Sequence, residues 1–368
     1  MSEFEQSFCP PLDEARAAQR GRRDEDEDLP AAWLRCLHEA SDRASQRIRT
    51  LAGLARQCTE MADMEFAFLF DPVREQFAIG YNVAEHRRDA GCYDLLASEA
   101  QLGSYVAIAQ GQVPQDHWFA LGRLLVSVGG TPVLVSWSGS MFEYLMPLLV
   151  MPNFEHTLLA RTYRGVVEQQ IEYGRLRRVP WGISESGYNL TDANSNYQYR
   201  AFGVPGLGLK RGLAEDLVIA PYASLMALMV APRAACENLQ RLAADGRAGA
   251  YGFYEAVDYT ASRIPPGQSS VTVRSFMVHH QGMGLLALAY LLLEGPMQRR
   301  FMACPALRAT DLLLQERVPG AAAQVLSGDL ELEQSGKIAA QKDGSGDLRI
   351  YSVPGLPAPQ VHLLSNGR

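Results

Sequence analysis

Cysteine is sparse and unpaired in this chain. The six residues, Cys9, Cys36, Cys58, Cys92, Cys236 and Cys304, are scattered, and none forms a C-x-x-C pair. That argues against a structural zinc site or a disulfide framework, and predicts free thiols in a reducing compartment. No apolar h-region follows the N-terminus, so no signal peptide is expected. The longest apolar run, Gly284 to Leu293, is too short to span a bilayer. Basic charge is not in excess: 34 Lys and Arg stand against 41 Asp and Glu. A nucleic-acid-binding surface would normally reverse that balance. No repeat period emerges, which disfavours a simple solenoid. Together these absences predict a soluble, cytoplasmic chain.

Two catalytic signatures are approached and missed. Gly182-Ile183-Ser184-Glu185-Ser186 lacks the second glycine of a G-x-S-x-G elbow. Gly206-Leu207-Gly208-Leu209-Lys210-Arg211 lacks the register of a phosphate loop. It reads instead as a tight loop with Lys210 and Arg211 pairing nearby acids. No cofactor is implied.

With 368 residues, 47% of them hydrophobic, the chain can bury a sizeable core. Residues 1–30 are polar and acidic and read as a disordered arm. From Ala31 apolar residues recur at helical spacing, as in Trp33, Leu34, Leu37, Ile48, Leu51 and Leu54. A short hairpin is expected around Asp71-Pro72. Further helices are predicted over 93–110, 114–125, 140–150, 157–173 (ended by Gly174), 220–230, 231–244, 273–293, 297–301 and 310–316. Residues 180–212 read as a long loop. Residues 31–320 are therefore expected to form one all-α domain. A toroid of helix pairs fits, and an open helical array fits nearly as well. Residues 321–368 read as a linker and the start of something β-rich.

The densest chemistry lies in Pro180-Trp181-Gly182-Ile183-Ser184-Glu185-Ser186-Gly187-Tyr188-Asn189. A carboxylate sits between two small hydroxyl residues, which leave room for a ligand. Trp181 and Tyr188 offer flat apolar faces with polar edges, which suit a sugar ring. The plain alternative is a turn whose tryptophan plugs the core. Three other loci also set carboxylates among aromatic, glycine or serine neighbours. They are Tyr93 to Glu99 with Asp94, Trp137 to Tyr144 with Glu143, and Tyr251 to Tyr259 with Phe253 and Glu255. Glycoside cleavage needs a pair of carboxylates across the scissile bond, and aromatic platforms to hold the sugars. Taken singly, each glutamate reads better as a helix cap or an ion-pair member. Tyr197, Tyr199 and Phe202 would line subsites, or else pin a loop by burial. His279-His280-Gln281 opens the most apolar helix. Neighbouring helical histidines diverge by about 100°, so no metal site is expected. A histidine or Gln281 reaching a sugar hydroxyl competes with a hydrogen-bonded core histidine.

Six blocks, in order, resemble the central glycoamylase-like domain of cyclic β-1,2-glucan synthases. They are Cys92 to Ala100, Ser136 to Pro147, Pro180 to Tyr188, Phe202 to Gly212, Tyr251 to Tyr259 and His279 to Met283. The resemblance spans about 31–320, and His362 to Arg368 resembles the junction into a phosphorylase-like region. It implies an (α/α)6 toroid and a retaining transglycosylase that closes linear β-1,2-glucan into rings. It carries the catalytic pair onto Glu99 and Glu185; Glu99 is read as the nucleophile and Glu185 as the acid/base, with Glu143 and Glu255 in reserve as orienting or substrate-binding groups. Glu185 is preferred as the acid because its loop would desolvate it and raise its pKa. The resemblance also implies partner domains: a membrane-bound glycosyltransferase before this region and a phosphorylase-like domain after it. Neither is expected within this chain. It is therefore expected neither to build glucan from a nucleotide sugar nor to trim it by phosphorolysis, and inner-membrane association would come through those partners.

Overall fold

The computed structural model describes residues 29–97, 99–318 and 324–325. The expected arm at 1–30 and tail at 321–368 fall almost wholly outside them. The chain divides after Phe70 into two compact units. In the first, one 34-residue helix runs over Leu29–Ala62, as the spacing from Ala31 predicts.

The second unit is rich in helices. The main ones are Ala100–Ala109, Leu158–Arg177, Pro232–Ala244 and Val278–Leu292, with short helices at Met141–Leu145, Pro221–Met226 and Pro296–Ala303. Small two- and three-stranded sheets sit between them. They are the main departure from the all-α expectation, and each has a local cause. Leu125–Val128 pairs with Thr131–Leu134 across Gly129-Gly130. Both glycines have positive φ, 54° and 83°, which a two-residue hairpin turn of this kind requires. The predicted helix over 114–125 therefore shrinks to Asp116–Ala120. The predicted loop at 180–212 contains a hairpin, Ser186–Thr191 against Tyr197–Arg200. Ala256–Asp258 pairs on one side with Val271–Val273 and on the other with Val218–Ile219.

Several helix boundaries also differ from expectation. The helix predicted over 273–293 starts at Val278, because Val271–Val273 pairs as a strand. Those predicted over 140–150 and 220–230 stop at Leu145 and Met226, each followed by a short 3-10 turn. The helix predicted from Tyr93 starts at Ala100. Tyr93 N donates to Phe77 O at 3.0 Å, and Cys92 bridges Ala78, so the preceding segment is held extended. Gly174 does not end its helix, which continues to Arg177 and closes at Arg178 in the left-handed region. A Cβ at Gly174 would lie 2.8 Å from that of Trp181, so the glycine makes room for the tryptophan. The turn at Asp71 forms as expected, its carboxylate accepting from Val73 N and Arg74 N. All five cysteines among the described residues are free. Among those residues, no helix is long and apolar enough to cross a membrane.

Candidate active site

The segment Pro180–Ser184 is the anchor of the site, and four helices hold it. Gln170 pairs with Ile183 like a strand neighbour, its amide donating to Ile183 O and accepting from Ile183 N, both at 2.8 Å. Asn238 does the same for Trp181, at 2.8 and 3.1 Å. Ser224 Oγ donates to Trp181 O. Ser184 Oγ accepts from Phe142 N at 3.0 Å and meets Tyr222 Oη at 2.7 Å. These bonds satisfy buried backbone groups that a loop would otherwise leave exposed to an apolar interior. They also correct the expectation for the motif. Trp181 is buried, so it plugs the core and offers no face to a sugar. Ser184 and Ser186 are buried as well, and Ser184 serves the framework rather than leaving room for a ligand.

Glu185 follows directly, half-buried at the start of the hairpin. Its pKa is pushed up to about 7, first by burial and then by the negative charges of Glu143 and Glu99. Those charges bring three of the four acidic loci into one electrostatic neighbourhood. Glu99 is exposed at the N-terminus of helix Ala100–Ala109.

Glu143 is buried, and its partners are three serines and two backbone amides. Oε2 accepts from the hydroxyls of Ser136, Ser138 and Ser140 at 2.9, 2.5 and 3.1 Å, and from Ser140 N at 3.1 Å. Ser138 N lies 3.1 Å from Oε1. The local sequence explains this. Serines at every second position of an extended segment face one way. The last of them caps helix Met141–Leu145 in a capping box with Glu143. The segment is clasped by the Gly203–Gly208 loop: Ser136 N donates to Leu207 O, Leu209 N to Ser136 O, and Val204 N to Gly139 O. A Cβ on Gly203 would lie 1.6 Å from Ser138 O, so only glycine fits. The glycine-rich block is thus a packing device. Lys210 Nζ donates to Ala201 O, a carbonyl and not the acid expected.

Glu143→Gln gives a direct check on this electrostatic coupling. Removing one negative charge eases ionisation of Glu185, so its pKa falls. If protonated Glu185 is the required acid, the alkaline limb of kcat/KM moves to lower pH. An unchanged limb in a pH–rate profile would show that Glu143 does not act on Glu185.

The fourth locus is also buried. Glu255 Oε1 accepts from Gly187 N at 3.1 Å, and both its carboxylate oxygens lie 3.0 Å from His280 Nδ1. His280 Nε2 meets Tyr199 Oη at 3.2 Å, and Tyr222 stacks on the imidazole at 3.7 Å and 9°. Tyr222 Oη also donates to Glu185 O. Sequence reading misses Tyr222, which looks like an ordinary residue in a helix begun by Pro221. It misses Arg263 too. That guanidinium binds Asp258 and Asp216 and lies over the rings of Tyr188 and Phe202 at 5.0 and 6.0 Å. Phe202 is buried against Tyr188, an edge contact at 5.5 Å, so it pins the hairpin rather than presenting a platform.

The other expected residues are dispersed around this core. Trp137 is 63% exposed and Tyr251 84%, so both rings are open to a ligand. Tyr251 meets Phe276 edge-on. Phe253 lies in a two-residue strand paired with Ala248–Gly249, and Tyr197 opens the second strand of the hairpin. Asp94 is exposed, its carboxylate lying against Gly122. His279 and Gln281 are exposed, in contrast to His280. Among the described residues, no group of three or more His, Cys, Asp or Glu could hold a metal ion.

Comparison with known proteins places this arrangement. The chain is 46% identical over 327 residues to the Cyclic beta-(1,2)-glucan synthase NdvB of Rhizobium meliloti (strain 1021), which takes in 88% of this chain. It spans only 11% of that synthase's length. Among solved structures, it resembles an endo-beta-1,2-glucanase from Chitinophaga pinensis in complex with sophorotriose and glucose. The TM-score is 0.53 at 16% identity, over 72% of this chain and 65% of that one. An endo-beta-1,2-glucanase from Talaromyces funiculosus with sophorose gives a TM-score of 0.50 at 15% identity, over 77% and 65%. At such identities the likeness is one of fold. The Glycoamylase family model ("Putative glucoamylase") matches residues 93–305, more than half of the chain. That segment contains every residue of the site described above, and the chain belongs to this glycoamylase family.

Proposed function

We propose that this chain acts on β-1,2-glucan as a retaining transglycosylase, with Glu185 as acid/base and Glu99 as nucleophile. The observation that carries the reading is Glu185 itself: a half-buried carboxyl whose pKa is raised to about 7 beside two further glutamates. Such a group holds its proton near neutral pH, as a general acid must. Glu99 would attack the anomeric carbon while Glu185 gives its proton to the departing glycosidic oxygen. The glucan is then held as an ester on Glu99. Glu185, now ionised, takes the proton of an incoming hydroxyl as that oxygen displaces Glu99. If the hydroxyl belongs to the far end of the same glucan, a ring closes. The helices of the second unit, which carry this site, are proposed to form an (α/α)6 toroid.

The extent of identity with the synthase supports β-1,2-glucan as substrate and ring closure as outcome. On this reading a glycosyltransferase domain supplies the linear polymer, and a phosphorylase-like domain acts on it separately. The alternative is hydrolysis, with water as acceptor, and product mass distinguishes the two. Rings are lighter than linear glucans of equal length by one water. A mass spectrum showing only linear products would replace cyclisation with endo-hydrolysis. No turnover at all, with glucan binding retained, would make the chain a binding module.

Glu99→Gln is expected to reduce turnover by roughly a thousandfold or more, as loss of a covalent nucleophile does. The corresponding alanine variant should regain cleavage with azide, yielding a glycosyl azide. Near-wild-type rates in Glu99→Gln would remove Glu99 from the mechanism.

A further inference from the structure

Glu255, His280 and Tyr199 form a hydrogen-bonded series that runs from the core to the surface. Glu255 is 2% exposed and His280 1%, yet Tyr199 at its end is 40% exposed. Burial, and then the charges of Glu185 and Glu255, hold the Tyr199 phenol well above its ordinary pKa. The phenol therefore keeps its proton, and its surroundings include Glu185. Two members of the series, Glu255 and His280, are keyed to the Glu185 segment. Gly187 N donates to Glu255, and Tyr222, stacked on the imidazole, donates to Glu185 O.

We propose that Glu255, His280 and Tyr199 form a hydrogen-bond relay of fixed polarity that presents the Tyr199 oxygen beside Glu185 as an acceptor for a sugar hydroxyl. The polarity follows from the buried end. Glu255 Oε1 accepts from Gly187 N and both its oxygens face His280 Nδ1, so the relay assigns the proton of that contact to Nδ1. A ring carrying its one N–H at Nδ1 leaves Nε2 bare, to accept the phenol proton. The Tyr199 oxygen, with its proton turned inward, offers its lone pairs outward. Tyr199 is thus a substrate-binding residue that recognises a donor hydroxyl, while Glu255 and His280 are positioning residues acting through it. A ring hydroxyl of glucose can donate such a bond, and an ether or a deoxy position cannot. That the ligand is a sugar rests on the function proposed above. The polarity does not.

Glu255→Gln tests the polarity without changing shape. Gly187 N still needs an acceptor at the Oε1 position, so the amide nitrogen must take the Oε2 position and face His280 Nδ1. The imidazole then adopts the other tautomer, Nε2 donates to Tyr199, and the phenol proton turns outward. In the intact protein with 15N-labelled histidine, His280 should show a protonated Nδ1 and a bare Nε2. The Glu255→Gln spectrum should show the reverse. His280→Gln identifies the resonances by their loss. A wild-type ring protonated at Nε2, alone or at both nitrogens, would overturn the relay, as would an unchanged tautomer in Glu255→Gln.

Kinetics with linear β-1,2-glucan test what the polarity is for. Glu255→Gln and Tyr199→Phe should each lower kcat/KM by roughly tenfold to a hundredfold. The double variant should be no worse than the poorer single variant within about twofold. Multiplying losses would mean that Glu255 merely supports the fold around Gly187, and the relay would be wrong. If the wild type does not turn over this glucan, the proposed function falls, whereas the tautomer still decides the relay.

Discussion

Glu185→Gln should abolish turnover while making the protein more stable at alkaline pH. The substitution keeps the shape and removes the titrating proton, so loss of the acid/base should cost roughly a thousandfold or more in kcat. The stability effect has a definite sign. The carboxyl pKa is about 7 in the folded chain against an ordinary value of 4.5. Its contribution to stability is full below pH 4.5 and is lost as pH rises through 7, because ionisation then costs more in the folded state than in the unfolded one. A neutral glutamine escapes that loss. At about pH 8 the variant should gain about 1–3 kcal/mol over wild type, and near about pH 4 the two should converge. Denaturant melts at both values check this. Equal stability at the alkaline value would mean that Glu185 is not desolvated, and normal turnover would end its role as the acid.

The second large effect should come from a residue with no chemistry. A Cβ at Gly203 would sit 1.6 Å from the Ser138 carbonyl oxygen and 2.7 Å from the Ser138 carbonyl carbon. Both are backbone atoms, and the neighbouring Gly139 carbonyl is bonded to Val204 N at 3.1 Å, so neither loop can retreat independently. Gly203→Ala should therefore cost about 3 kcal/mol or more and lower Tm by roughly 6–12 °C. Activity should fall further than stability. Displacing Ser138 loosens the serines around Glu143, and with them a charge that acts on Glu185. Thermal melts together with kcat at a temperature where the variant remains folded separate the two losses. An unaltered Tm would show that the two loops do not meet as described.

Both effects centre on residues whose visibility in the sequence differs greatly. Glu185 is legible because aromatic, glycine and serine neighbours crowd around it, whereas the fit of Gly203 against Ser138 is a tertiary contact without a local pattern. The long helices are legible because three- and four-residue spacing persists over many turns, as from Thr157 onward. Two-residue strands carry too little alternation to register, and only the paired positive-φ glycines at 129 and 130 mark the hairpin there. Trp181 misleads because an aromatic residue beside a carboxylate looks alike whether it faces the core or a ligand. The difference lies in Gly174 and Asn238, which make the pocket for it from two other helices. The pairing of Glu255, His280 and Tyr199 is least accessible. His280 lies 25 residues from Glu255 and 81 from Tyr199, and only the folded chain brings them together.

Arg263 gives the site an unexpected freedom. By gripping Asp216 and Asp258 and lying over Tyr188 and Phe202, it fastens the base of the hairpin that begins at Ser186. The far tip is held separately. Asp192 accepts from the amides of Asn194 and Asn196, both at 2.9 Å, in a turn that closes on itself. A tip stabilised from within and exposed to solvent can be lengthened or exchanged without disturbing its base. Descendants of this scaffold could therefore acquire new loops at 192–196, and new preferences for polymer length, while inheriting the chemistry below unaltered.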